Sequence, residues 1–230
     1  MYSKIRICIF GLLISIACLS NAHAAVININ TFATGDTTDP GALATVATLT
    51  ITQNGNDVEF RLDNFANAAV GNTATNANID WLGLNYTGAN PLSSGSFGNF
   101  SGFGISSSDF AIGSFNPCCG SDTLNLKLDF PAGNPNNRFK DGDSVTWTIF
   151  NTSVSDFLVP ISILQDGSGT AYDALTMVHL QGIDVGNVTG GSAKYAGITV
   201  VPVPAAVFLF GSGLLGLWPL VKRRSKATTA

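Results

Sequence analysis

The stretch Thr48-Leu49-Thr50-Ile51-Thr52-Gln53-Asn54-Gly55-Asn56-Asp57-Val58-Glu59-Phe60-Arg61-Leu62 decides the fold class. Two runs that alternate apolar and polar residues flank a Gln-Asn-Gly-Asn break. An Asn-Gly between alternating runs is the strongest short-range hairpin signal, because both residues tolerate the positive φ of a tight hairpin turn. Successive side chains on a strand point to opposite faces. Leu49, Ile51, Val58, Phe60 and Leu62 therefore share one buried face, while the threonines, Glu59 and Arg61 face outward.

The same period of two returns elsewhere. Leu124, Leu126, Leu128 and Phe130 alternate with polar residues, and so do Val145, Trp147 and Ile149, which places Trp147 in the core. Residues 178–183 alternate as well, and 26–32, 79–86, 157–164 and 196–201 are further strand candidates. Turn clusters such as Pro131-Ala132-Gly133-Asn134-Pro135 and Asp166-Gly167-Ser168-Gly169 separate them. No segment between 25 and 201 has a 3.6-residue apolar period. The expectation is all-β, a single antiparallel β-sandwich, jelly-roll-like, spanning residues 25–201. Residues 87–121, rich in Gly, Ser and Phe, read as a long loop rather than two irregular strands. The three-residue spacing of Phe97, Phe100 and Phe103 does not fit a regular strand, and a loop of that length marks a candidate binding surface.

Both ends of the chain carry addresses. Lys4 and Arg6 precede an apolar run over 7–19 and Ala22-His23-Ala24, so residues 1–24 read as a secretory signal peptide, with cleavage before Ala25. That implies the Sec translocon and signal peptidase as partners. At the other end, residues 202–230 hold an apolar run over 205–221 followed by Lys222, Arg223 and Arg224. Seventeen helical residues span about 25 Å, barely a bilayer core. The basic cluster would stay cytoplasmic. Five Lys or Arg and all 15 Asp and Glu lie between residues 25 and 201, giving that segment a formal charge of −10 against −4 for the whole chain. Such a segment repels nucleic acid and anionic lipid, which argues against both as partners of that segment.

The residues Val201, Pro202, Val203, Pro204 and Ala205, the Gly-interrupted helix Leu209-Phe210-Gly211-Ser212-Gly213-Leu214-Leu215-Gly216 and the terminal Lys-Arg-Arg together resemble a PEP-CTERM sorting signal, in its VPxPA variant. The resemblance covers about 30 residues. It implies transient anchoring in the inner membrane by the C-terminal helix, removal of that helix by an exosortase, and a host that makes exopolysaccharide. Two residues depart from the parent pattern. Val203 stands where Glu would be, which is itself the variant, and Pro219 should kink the end of the helix.

Chemistry-bearing residues between the signals are few. Cys8 and Cys18 leave with the signal, so the mature chain keeps only the adjacent pair Cys118-Cys119. In an oxidising compartment this pair is a candidate vicinal disulfide, with intermolecular bonding, free thiols and metal binding as the other readings. His179 is the sole histidine after the signal and falls on the polar phase of its strand. A His-based zinc site would need a second, and no G-x-S-x-G elbow is present. Asp141-Gly142-Asp143, Asp36-Thr37-Thr38-Asp39 and Asp166-Gly167-Ser168 suit either calcium or plain turns, with Asp141 and Asp143 the first metal candidates. Trp81 and Tyr195 are candidate platforms for sugar rings, against a core-packing alternative.

The sequence thus points to an exported protein, transiently membrane-anchored and then released to the cell surface or extracellular matrix. The expected role is a non-enzymatic structural or adhesive component associated with exopolysaccharide, with no cofactor expected and Ca2+ left open at the aspartate turns. The competing readings are a secreted polysaccharide-active hydrolase or lyase, and a calcium-dependent carbohydrate-binding module.

Overall fold

The computed structural model describes residues 24–35, 44–69, 71–119, 122–131, 134–165 and 169–202. In chain order the strands are β1 (Ala24–Ile29), β2 (Thr31–Gly35), β3 (Ala47–Asn54), β4 (Asp57–Asn64), β5 (Asn78–Leu84), β6 (Phe97–Gly102), β7 (Phe110–Phe115) and β8 (Leu124–Asp129). They continue with β9 (Phe139–Lys140), β10 (Ser144–Ile149), β11 (Ile161–Leu164), β12 (Ala171–Ala174), β13 (Thr176–Val185), β14 (Val188–Gly197) and β15 (Val200–Pro202). Among the described residues they form a six-stranded sheet, β15-β1-β3-β4-β10-β6, and a seven-stranded sheet, β2-β14-β13-β5-β8-β7 with β9 beside β5. A separate two-stranded sheet pairs β11 with β12. The pairings among β1–β10, β13 and β14 are antiparallel.

The Asn-Gly hairpin forms between β3 and β4, with Leu49 opposite Leu62 and Ile51 opposite Phe60. Gly55 takes φ +63° at its tip. All five apolar residues of the hairpin are fully buried, and Glu59 and Arg61 are exposed. One buried cluster takes side chains from both large sheets, including Leu49, Phe60 and Trp147 from one and Leu82, Leu128 and Val178 from the other. The fold is therefore all-β and sandwich-like. At its centre the Trp147 and Phe60 rings lie 5.1 Å apart and 4° from parallel, and Phe157 meets Phe60 edge-on at 4.9 Å. Burying each such side chain contributes roughly 1.5–3 kcal/mol.

Residues 87–121 are not one loop. They supply β6 and β7, the edge strands of the two sheets, and the Phe97 and Phe110 rings stack across the interior at 4.2 Å. The irregular spacing is absorbed by a bulge in β6. Ser101 pairs with Thr146 and Gly98 with Thr148, so Asn99 and Phe100 both lie opposite Trp147. The extra residue, Asn99 at φ +53°, reverses the alternation and lets Phe97 and Phe100 both turn inward. Each edge strand also begins with a capped 3₁₀ turn. Ser93 closes a capping box with Ser96, and Ser106 with Asp109. A third box, Ser153 with Asp156, precedes Phe157. In all three a buried phenylalanine (Phe97, Phe110, Phe157) follows the capping serine by four positions.

Three other expected strands are corrected. The run 26–32 is broken at Asn30, where the chain passes from the six-stranded to the seven-stranded sheet. Its apolar parity breaks there too, since Ile27 and Ile29 are odd-numbered and Phe32 even. Residues 157–164 start within the third 3₁₀ turn and become strand only at Ile161, after Pro160, which has no N–H to give. Residues 196–201 are split between the end of β14 and β15.

Candidate functional site

Register in the seven-stranded sheet assigns its two faces. Val178, Leu180, Leu82, Leu84, Leu126 and Leu128 point into the shared core. Their chain neighbours point outward and line up across the strands in two adjacent rows. One row is Ala196, Met177, Gly83 and Lys127. The β11–β12 hairpin covers its apolar part, where Ile161, Ile163 and Ala174 form a second buried cluster with Met177 and Ala196. The next row is Thr34, Lys194, His179, Trp81 and Asp129, each the cross-strand partner of the next. This second row lines an open groove of about 510 Å³. Five strands at the usual spacing carry it over about 19 Å.

The row is built with care for its polar groups. A bulge in β5 leaves Asp80 and Trp81 together opposite His179. Asp80 Oδ2 lies 3.1 Å from His179 Nδ1, which fixes the imidazole. The Trp81 and His179 rings lie side by side, 5.7 Å apart and tilted by 33°. Phe115 supports Trp81 edge-on at 5.8 Å. Lys127 Nζ pairs with Asp129 Oδ1 at 2.7 Å and also sits 5.8 Å from the Phe115 ring centre. Lys194 is partly buried, and burial lowers its ammonium from the ordinary lysine value.

A second groove of about 550 Å³, lined by Arg138, Gln181, Gly182 and Asp184 among others, shares Ser192 with the first. Beside Gly182, whose φ is +69°, Asn78 is fully buried, and its amide has no hydrogen-bond partner among the described residues. Three of the five cations of residues 25–201 (Lys127, Arg138 and Lys194) line these two grooves, although the segment as a whole is strongly acidic.

The residues singled out from the sequence fall in different places. Trp81 and His179 meet on the open row. Tyr195, a candidate sugar platform against a core-packing alternative, is 3% exposed, because it lies on the inward phase of β14 with its ring edge-on to Phe32 at 5.7 Å. It offers no face to a ligand. Cys118 and Cys119 are bonded to each other and pack against the second cluster. The Cys119 carbonyl accepts from Leu164 N at 2.8 Å, tying this turn to β11. Asp141 Oδ1 accepts from Asn67 N at 3.0 Å, tying the turn at Gly142 to a distant segment, and Asp143 Oδ2 accepts from Lys140 N at 2.7 Å, closing the turn itself. No group of three or more His, Cys, Asp or Glu is arranged around a metal position among the described residues. Ala24 and Ala25 lie on β1, and Val201 and Pro202 on β15. Ala22, Val203, Pro204, Ala205, Lys222, Arg223 and Arg224, with Asp36, Asp39 and Asp166, lie outside the described residues.

Sequence reasoning missed Asp80, Lys127, Asp129 and Lys194 as neighbours of Trp81 and His179. Alternation assigned the faces of residues 124–130 and 178–183, but register, and the bulge at Asp80, are set by long-range pairing. Chemically, the row offers a partly exposed indole beside an imidazole, flanked by hydrogen-bonding and charged groups, the combination that seats a hydroxyl-rich ring. No protein-family model, curated protein or solved structure matches the chain.

Proposed function

We propose that this chain is an exported surface or matrix protein that holds exopolysaccharide on the outward face of its seven-stranded sheet, as a structural or adhesive component without turnover. The observation that carries the reading is the open row Thr34–Lys194–His179–Trp81–Asp129, whose groove shares Ser192 with a second polar groove. A furrow across several strands suits a polymer better than a small molecule, which favours enclosure. The addresses at the two ends support the rest. The leader directs export through the Sec translocon, and the tail from Val201 onward is read by an exosortase that releases the domain from the inner membrane. The finer fold reading, a single jelly-roll-like sandwich, draws support from the core shared by the two large sheets.

Retention of the purified mature protein on its host's exopolysaccharide tests this. The expected result is co-sedimentation with the polymer, unchanged in chelator and with no shortening of the chains. Depolymerisation would establish the hydrolase or lyase reading instead. Release by chelator would establish the calcium-dependent module.

A further inference from the structure

We infer that Lys194 is the anion-receiving end of the open row, and that the groove takes a polysaccharide bearing carboxylates, as uronic acid units do. The inference rests on the polysaccharide-binding reading above and names the ligand class.

The other charged side chains of this groove are matched in pairs, Lys127 with Asp129 and His179 with Asp80. Lys194 has no acidic partner among the described residues, although it is partly buried between Thr34 and His179 on the neighbouring strands. Desolvation without a counter-charge disfavours the ammonium, and burial is the cause of its lowered proton affinity. A lysine kept at a cost to the folded state is characteristic of a functional position. A ligand carboxylate would supply the missing charge.

Geometry selects a sugar polymer over other anions. His179 is the register partner of both Lys194 and Trp81. A ring seated on the Trp81–His179 surface therefore lies about 5 Å, one strand spacing, from the Lys194 column. A carboxylate on that ring or the next one reaches the amine. Thr34 and Ser192 line the same groove beside Lys194. An acidic peptide would use the amine and leave the aromatic surface idle. The −10 charge of the domain opposes a polyanion, but beyond about 8 Å it is screened in physiological salt. The acids of the groove itself, Asp129 and Asp80, are paired with Lys127 and His179, so Lys194 is the local charge that a carboxylate meets.

The test uses the mature protein with its host's exopolysaccharide, native or with its carboxylates reduced to alcohols. Affinity is measured for the parent, Lys194→Gln and Trp81→Ala, alongside thermal unfolding. The parent should bind the native polymer at least about tenfold more tightly than the reduced one, the scale of a charge-assisted hydrogen bond. Lys194→Gln should erase that preference and leave the melting temperature equal or higher. Trp81→Ala should weaken both polymers. Equal binding of native and reduced polymer by the parent overturns the assignment to Lys194 while the polysaccharide-binding reading stands. Binding of neither overturns both. A Lys194→Gln protein that loses its preference only because it melts much earlier also overturns the assignment, since the lysine would then be structural.

Discussion

Replacing Trp147 with phenylalanine should barely change stability, although the residue is the largest fully buried side chain of the core. Two effects oppose each other. Trading indole for phenyl exposes or empties on the order of 40 Å² of apolar contact, about 1 kcal/mol, and leaves a void costing about 1 kcal/mol more. Against this, Trp147 Nε1 is buried with no hydrogen-bond partner among the described residues. Removing an unmet buried donor returns about 1–3 kcal/mol. The stack on Phe60 survives, because a phenyl ring can keep the near-parallel contact. The net change should fall within about 1 kcal/mol, or a shift of roughly 2–4 °C for a domain of this size. Trp147→Ala removes the same donor but also the stack on Phe60, leaves a far larger void, and should cost about 3–5 kcal/mol. Urea denaturation of residues 25–201, followed by far-UV circular dichroism, separates the two. If Trp147→Phe costs as much as Trp147→Ala, the indole N–H is not an uncompensated donor and the reasoning fails.

Other perturbations probe the edge strand and the site. Asn99→Val places a β-branched residue at φ +53° in the β6 bulge and should destabilise by about 1–2 kcal/mol or more, whereas Asn99→Gly should be tolerated; thermal denaturation reads both. At Gly83 an added Cβ would sit 2.6 Å from Leu124 Cδ1 and 2.9 Å from Phe115 Cζ. Gly83→Val should therefore cost about 1–3 kcal/mol and, by displacing the support of Trp81, also weaken polymer binding in a retention assay. Binding of carboxylate-bearing polymer should fall as pH rises through a value below the ordinary lysine pKa of 10.5, because burial makes Lys194 lose its proton early. His179 and Asp80 beside it, and Lys127 and Asp129 beyond Trp81, are the other charged or titratable groups of the groove, so Lys194→Gln should flatten the profile. The linkage sign follows from the same lowering: the charged amine penalises the folded state below its folded pKa, and the penalty fades as pH rises toward the unfolded value.

Much of the fold was legible because β3, β4 and β8 alternate regularly. Leu49, Ile51, Phe60, Leu62, Leu124, Leu126 and Leu128 could be placed from parity alone. Phe97 and Phe100 could not, since a one-residue bulge at Asn99 reverses parity and nothing local announces it. The recurring Ser-x-x-[Ser/Asp]-Phe pattern at Ser93, Ser106 and Ser153 was the available signal for those strand starts, through its reciprocal capping bonds. The break at Asn30 was also visible, as a parity change between Ile29 and Phe32. The site was less legible. Trp81 and His179 were noticed singly, but their adjacency depends on the β5–β13 register, and the hairpin that leaves one row open and covers the next comes from a distant part of the chain. Tyr195 illustrates the same limit: Gly190 and Gly191 suggested exposure, while the long β13–β14 pairing buries its ring.

The central claim, an exported protein sorted to the exopolysaccharide layer, is tested most directly by intact mass. The protein would be recovered from the envelope and the extracellular matrix of its native host. The account predicts a chain in the matrix fraction that begins near Ala25 and ends near residues 202–205, without Arg223 and Arg224. A chain in the membrane fraction that still carries Lys222, Arg223 and Arg224 would contradict it.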